Sequence, residues 1–242
     1  MTAGGPRSLA NTLAWAGDGA AHLRGLMTRM GDDAFGAAST LPGWSRAHVL
    51  THIARNADGM INLLTWARTG VPTPAYASRD ARDSAIEAGA ARSPAEIRDD
   101  VVESSDRLAV VVRKMPKTAW SAHITNVQGR EIPATDIAWI RAREMWIHSV
   151  DLDVGASFDD FPAPMVTELL TDVAEAMAEK PDCPPLLLVA PDGTAWKVGD
   201  QAAPTTVSGP APELAAWLLG RSKGRGLRGD AARKLPALPR WL

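Results

Sequence analysis

The sequence predicts an α+β protein in two parts, a four-helix bundle over residues 1–155 and a small α+β domain over residues 156–242. Two patterns carry this reading. Through the first two thirds, apolar residues recur at the spacing of amphipathic helices. After Gly155, short apolar runs alternate with turn dipeptides, as strands do. A chain of 242 residues with 45% apolar and 22% charged residues can bury one large core or two modest ones, within ordinary globular composition.

The elements follow in order. Leu9, Leu13, Ala16, Leu23, Leu26 and Met30 share a helical stripe from Ser8 to about Met30, which Gly17 and Gly19 weaken. Leu41-Pro42-Gly43-Trp44-Ser45 is a turn ending in an N-cap residue, and a second helix runs from it to about Thr69 on Val49, Ile53, Met60, Leu63 and Leu64. Residues 70–92 form a long connection with room for a short helix. Ser93-Pro94-Ala95-Glu96 combines an N-cap, a proline at the first helical position and a glutamate closing a capping box, so a third helix starts there and ends near Met115-Pro116. Residues 122–133, turning at Gln128-Gly129, read as a hairpin or as irregular chain. A fourth long helix spans about Thr135–Leu152. In the second part a helix from about Pro162 to Glu179 precedes a buried strand at Pro185–Ala190. Asp192-Gly193 turns it into Trp196-Lys197-Val198, and a strand at Thr205–Val207 leads to a helix at about Pro212–Leu219. The sheet is expected to be antiparallel.

Composition removes several function classes. A net charge of −2 gives no reason to expect nucleic acid or an anionic membrane as a partner. No apolar run approaches the length of a membrane span, and the N-terminal fifteen residues lack the pattern of a signal peptide, so a cytoplasmic location is expected. The single cysteine, Cys183, excludes an intrachain disulfide and a cysteine-based zinc site. It lies in a proline-rich turn without a neighbour that would activate it, so any thiol chemistry needs a thiol from outside the chain. Nine of the aromatic residues are tryptophans, expected in the core or in pocket walls.

The segment Arg143-Glu144-Met145-Trp146-Ile147-His148-Ser149-Val150-Asp151 is the most informative. Glu144 and His148, four apart on one helix, lie one turn apart on the same face and can reach a common cation. His48 and His52 share that spacing on the second helix. Two histidines and one glutamate from two helices match a three-ligand zinc site with an open fourth position. The competing reading of Glu144 and His148 is an ordinary hydrogen bond on a helix surface. An unpaired imidazole among apolar neighbours is costly, which favours the metal. His52 lies among Val49, Ile53 and Ala54, deeper in its helix than His48, and is the preferred ligand. Asp151 can accept the second ring N–H of His148, or can be a solvent-facing carboxylate near a helix end. Arg221 follows Trp217-Leu218-Leu219-Gly220, where a cation is an ordinary helix stop or a clamp for a substrate carboxylate across an interdomain cleft.

Leu41-Pro42-Gly43-Trp44-Ser45 leading to Val49-Leu50-Thr51-His52-Ile53-Ala54 resembles the second helix of DinB-like metal-binding bundles, and Arg143 to Leu152 resembles their ligand helix. With Trp217-Leu218-Leu219-Gly220-Arg221, nearly the whole chain resembles the mycothiol-dependent maleylpyruvate isomerases of actinobacteria. The resemblance implies a DinB-like bundle, a C-terminal domain similar to sterol carrier proteins, one zinc ion (Zn2+) per chain, mycothiol as thiol cofactor and a role in gentisate breakdown. By position it gives His52, Glu144 and His148 as zinc ligands and Arg221 as a catalytic residue. The implied reaction is a cis-trans isomerisation of maleylpyruvate to fumarylpyruvate, by thiolate addition, rotation about the resulting single bond and elimination. Its partners are therefore a small dicarboxylate and a low-molecular-weight thiol. A mycothiol S-transferase acting on electrophiles needs the same metal site, and a non-catalytic ligand-binding protein is the third possibility.

Overall fold

The computed structural model describes residues 7–200, 204–230 and 234–241. The first six residues, on which the reading of the N-terminus partly falls, lie outside the described residues. The described chain forms two compact units, one of Ser8–Ala156 and one from Ser157 onward together with Arg7.

The first unit holds five helices: α1 (Leu9–Arg29), α2 (Arg46–Thr69), α3 (Arg79–Ala90), α4 (Pro94–Arg113) and α5 (Thr135–Asp151). The starts of α2 and α4 follow from their capping boxes. Ser45 Oγ accepts from the His48 N–H while the Ser45 N–H donates to His48 Nδ1, and Ser93 and Glu96 do the same for α4. Gly70 ends α2 at φ 74°, in the left-handed region where a side chain is disfavoured. Between α2 and α4 the chain forms α3, three turns capped by Ser78, the short helix for which the connection had room. Residues His123–Thr125 (β1) and Glu131–Pro133 (β2) pair antiparallel, so the hairpin alternative holds for residues 122–133.

Packing explains why α1 passes unbroken through Gly17 and Gly19. The helix lies along α5, and a Cβ on Gly19 would stand 2.8 Å from Met145 Cβ and from Trp146 Nε1. The glycine that lowers local helix propensity is the residue that lets the two helices meet. The second helix packs on α4, α3 and α5. Leu50, Ile53, Met145 and Leu152 are fully buried in one apolar cluster shared by α2 and α5, with Leu23 of α1. Burying side chains of this size stabilises by about 1.5–3 kcal/mol each.

The second unit has α6 (Ala163–Ala178), a sheet in the order β4-β3-β5-β6, and α7 (Ala211–Leu218). The strands are β3 (Leu186–Val189), β4 (Ala195–Val198), β5 (Thr205–Ser208) and β6 (Arg228–Gly229). The expectation of an antiparallel sheet is corrected here, because β5 runs parallel to β3 and the sheet is mixed. The Asp192-Gly193 turn fixes β3 against β4 locally, but β5 takes the other edge of β3. With Leu186 and Leu188 both fully buried, β3 is the apolar centre that both neighbours cover. No helix among the described residues is long and apolar enough to cross a membrane.

Candidate metal centre

Two helices bring the expected donors together. His52 sits in the second turn of α2 and is 6% exposed, flanked by the fully buried Val49, Ile53 and Ala54. Glu144 and His148 face it from α5. The three residues offer ligand atoms that all lie within 4.8 Å of one another. Glu144 Oε2 is 2.8 Å from His52 Nε2 and 3.2 Å from His148 Nε2, so one carboxylate oxygen bridges the two rings. The rings meet edge to face, with centroids 4.8 Å apart and planes at 88°. Such a crossing aims two nitrogens at one point without stacking the rings.

The α5 side is fixed from behind. His148 Nδ1 lies 2.9 Å from Asp151 Oδ2, and Asp151 is fully buried. Thr40 holds that aspartate by donating its hydroxyl to Oδ1 (2.8 Å) and its N–H to the backbone carbonyl (2.9 Å). Arg46, the first residue of α2, donates to the Leu152 and Asp153 carbonyls at 2.7 and 2.8 Å and so caps the end of α5. One turn before Glu144, the buried Arg141 donates to the Ile53 carbonyl (3.0 Å) and to Asn56 Oδ1 (2.8 Å) of α2, and to Ser105 Oγ (3.2 Å) of α4. These bonds fix the register of the helices that carry the three donor residues.

Other residues form the surroundings. The Trp44 ring tilts against His52 at 5.6 Å. Arg82 of α3 donates from Nη2 to His52 Nδ1 at 3.2 Å, and its guanidinium carbon lies 5.9 Å from the centre of the Tyr76 ring. Gly59 makes room for that ring, since a Cβ there would stand 3.1 Å from Tyr76 Cζ.

Charge in the cluster is set by burial and pairing together. Burial pushes the Glu144 carboxyl up, but the charge of His52 and hydrogen bonds from both imidazoles outweigh it and hold the group well below the usual range. Burial pulls His148 down, yet its bonds to Asp151 and Glu144 win and lift it to about 9. Burial leaves His52 below its ordinary value despite the pull of Glu144, and the charges of His148 and Arg82 lower it further. In the same way burial lowers the Arg141 guanidinium to about 10, against the attraction of Glu144.

Of the remaining candidates, His48 and Asp151 belong to the first unit, and Cys183 and Arg221 belong to the second. His48 closes the capping box of α2, and its Nε2 pairs with the exposed Glu87 at 3.2 Å. Asp151 stands behind His148 rather than facing solvent. Cys183 belongs to the second unit, half-buried, with its thiol pushed up by burial. Arg221 follows Gly220, which ends α7 at φ 72°, and donates from Nη1 to the Leu219 carbonyl at 2.9 Å. Sequence reasoning missed Arg82, Arg141 and Thr40. Arg141 had one available signal, its place three residues before Glu144 on the same helical face, while Arg82 and Thr40 reach the cluster across 30 and 111 residues of chain.

Fold and site define a two-part chain whose helical bundle carries a His-Glu-His cluster suited to a divalent cation. Residues 16–153 match the mycothiol maleylpyruvate isomerase N-terminal domain, and residues 160–240 match the MDMPI C-terminal domain. The chain belongs to the mycothiol maleylpyruvate isomerase family, a family of enzymes. Its structure is similar to a crystal structure of the mycothiol-dependent maleylpyruvate isomerase, with 32% identity over 100% of both chains and a TM-score of 0.93. It is similar also to the structure of a histidine-to-alanine mutant of the mycothiol-dependent maleylpyruvate isomerase, with 31% identity over 100% of both chains and a TM-score of 0.92. No curated protein matches the sequence.

Proposed function

We propose that this chain is a zinc- and mycothiol-dependent isomerase that converts maleylpyruvate to fumarylpyruvate in gentisate breakdown, acting in the cytoplasm as a bundle domain and a C-terminal domain. The observation that carries this reading is the meeting of His52, Glu144 and His148 within 4.8 Å, in a chain similar over its whole length to such an isomerase.

The donor set fits zinc. Two imidazole nitrogens and one carboxylate oxygen are the ligands of many catalytic zinc sites, and donors around a tetrahedral zinc stand about 3.4 Å apart. The observed spacings of 2.8 and 3.2 Å need only a small opening. His52, Glu144 and His148 would hold the ion, with Asp151 keeping Nε2 of His148 turned toward it. A bound zinc would supply Lewis acidity that lowers the pKa of the mycothiol thiol, so that thiolate would be available at neutral pH to add to the cis double bond and, after rotation about the resulting single bond, to be eliminated. Cys183, its thiol raised rather than lowered by burial, supplies no nucleophile. Arg221 supplies a guanidinium for a substrate carboxylate, with a forked geometry that lysine lacks.

The test is conversion of maleylpyruvate by the zinc-loaded protein, with and without mycothiol. Turnover only with the thiol supports the reading. Conjugation of unrelated electrophiles without isomerisation makes the chain an S-transferase, and no reaction with either makes it a binding protein. Arg221→Lys should lose on the order of a hundredfold in kcat/KM, nearly as much as Arg221→Ala. Normal rates in both variants would return this arginine to capping α7.

A further inference from the structure

The two histidines of the cluster have opposite groups behind them. His148 Nδ1 faces the Asp151 carboxylate, which can only accept, so in the neutral ring the proton sits on Nδ1, and a cation that displaces the second proton finds the lone pair on Nε2. His52 Nδ1 faces the Arg82 guanidinium, which can only donate. That bond requires the lone pair on Nδ1 and puts the proton of a neutral His52 ring on Nε2, the atom beside Glu144. A neutral imidazole carries one ring proton. If Nε2 binds a cation, Nδ1 must carry the proton, and two N–H groups then point at each other. The Arg82–His52 hydrogen bond and coordination through His52 Nε2 exclude each other.

We propose that a bound cation displaces Arg82 from His52 and so delivers its guanidinium as the ligand for a carboxylate of an anionic substrate. The second half of this inference rests on the isomerase reading. Besides His52, Arg82 pairs with the exposed Asp83, an ion pair of small worth, and hydrogen-bonds Tyr76, whose ring lies 5.9 Å from the guanidinium carbon, so it can turn on these two neighbours when it leaves His52. It stands on α3, which buries only Ile86 and Gly89 and is the least enclosed of the helices around the site. Charge balance favours the arrival of an anion. A dication with Glu144 and Asp151 sums to zero, whereas a thiolate and a dicarboxylate bring three negative charges. Arg141, the other cation near Glu144, is 5% exposed and committed to α2 and α4, so it cannot reach a substrate.

The test uses the full-length protein. Metal-free protein is titrated with zinc against a chromophoric chelator. Zinc-loaded protein without thiol is then titrated calorimetrically with maleate, a dicarboxylate of the substrate's cis geometry. In Arg82→Met, zinc should bind about two- to tenfold more tightly, because no hydrogen bond has to be broken. Maleate should bind at least about tenfold more weakly, the loss expected of a charge-assisted bond. Arg82→Lys should keep part of the maleate affinity, and it serves also if the Met variant folds poorly by circular dichroism. Zinc affinity unchanged or weakened in Arg82→Met would overturn the displacement, and wild-type maleate affinity in that variant would overturn the carboxylate ligand. A wild-type protein that binds maleate through Arg82 but never isomerises maleylpyruvate would instead remove the isomerase reading and leave Arg82 as an anion ligand.

Discussion

On the α5 side of the cluster, His148 is backed by an aspartate that is wholly buried and gripped by Thr40. On the α2–α3 side, His52 is backed by an arginine whose helix lies near the surface. Both backing groups lie within about one hydrogen bond's length of an Nδ1 atom, yet one prepares its ring for a cation and the other opposes it. Distance alone therefore does not identify support for a metal site. The sign of the partner decides: the aspartate favours a cation at His148, and the arginine competes with one for His52.

The largest effect should come from breaking the cluster itself. His148→Ala and His52→Ala are each expected to abolish stoichiometric zinc in the purified protein, as read by elemental analysis. Full zinc in His52→Ala would mean that the α2 side contributes no ligand. Next comes Asp151→Asn, which removes the charge behind His148. Zinc affinity should fall by about ten- to a hundredfold, the usual cost of losing a carboxylate behind a ligand histidine. This change opposes in sign the tightening expected from Arg82→Met, and equal signs for the two would erase the contrast between the two sides.

The pH dependence sharpens the same contrast. In metal-free protein the His148 value is raised to about 9, above its unfolded value near 6.5. Its contribution to stability is therefore fully present below about 6.5 and is lost as pH rises through about 9. The melting temperature of metal-free protein should fall over that window, and His148→Gln should flatten the fall. Zinc, which must displace the same proton, should bind more tightly across the same rise. The smallest effect belongs to His48, which bears on α2 but not on the cluster. His48→Ala should cost roughly 1 kcal/mol in denaturant unfolding through the capping box and leave zinc content unchanged. Loss of zinc there would make His48 part of the site.

What the sequence made legible was whatever is written locally. Ser45 and Ser93 announce their helices, and Glu144, His148 and Asp151 stand on one helical face within eight residues. That His52 rather than His48 meets Glu144 was also open to reading, because side chains in the first turn of a helix often face solvent, whereas His52 lies deeper among apolar neighbours. Pairings set by folding were not legible. Nothing near Thr205 says which edge of β3 it will take, and nothing near Ser78 says that a turn-rich connection will lay α3 over α2. Gly19 misleads in isolation, since its cost to the helix is local while its benefit lies in Met145 and Trp146, more than a hundred residues on.

Tyr76 is the only tyrosine in the chain. Its ring lies against Gly59 on one side and 5.9 Å from the Arg82 guanidinium carbon on another. Growth on fluorotyrosine therefore places a single fluorine label beside the cluster without any mutation. The field of a cation over an aromatic ring moves a fluorine resonance, so one spectrum follows the arginine directly. The spectroscopic handle comes with the fold, and a titration watched at Tyr76 separates the arrival of an ion from the departure of its neighbour.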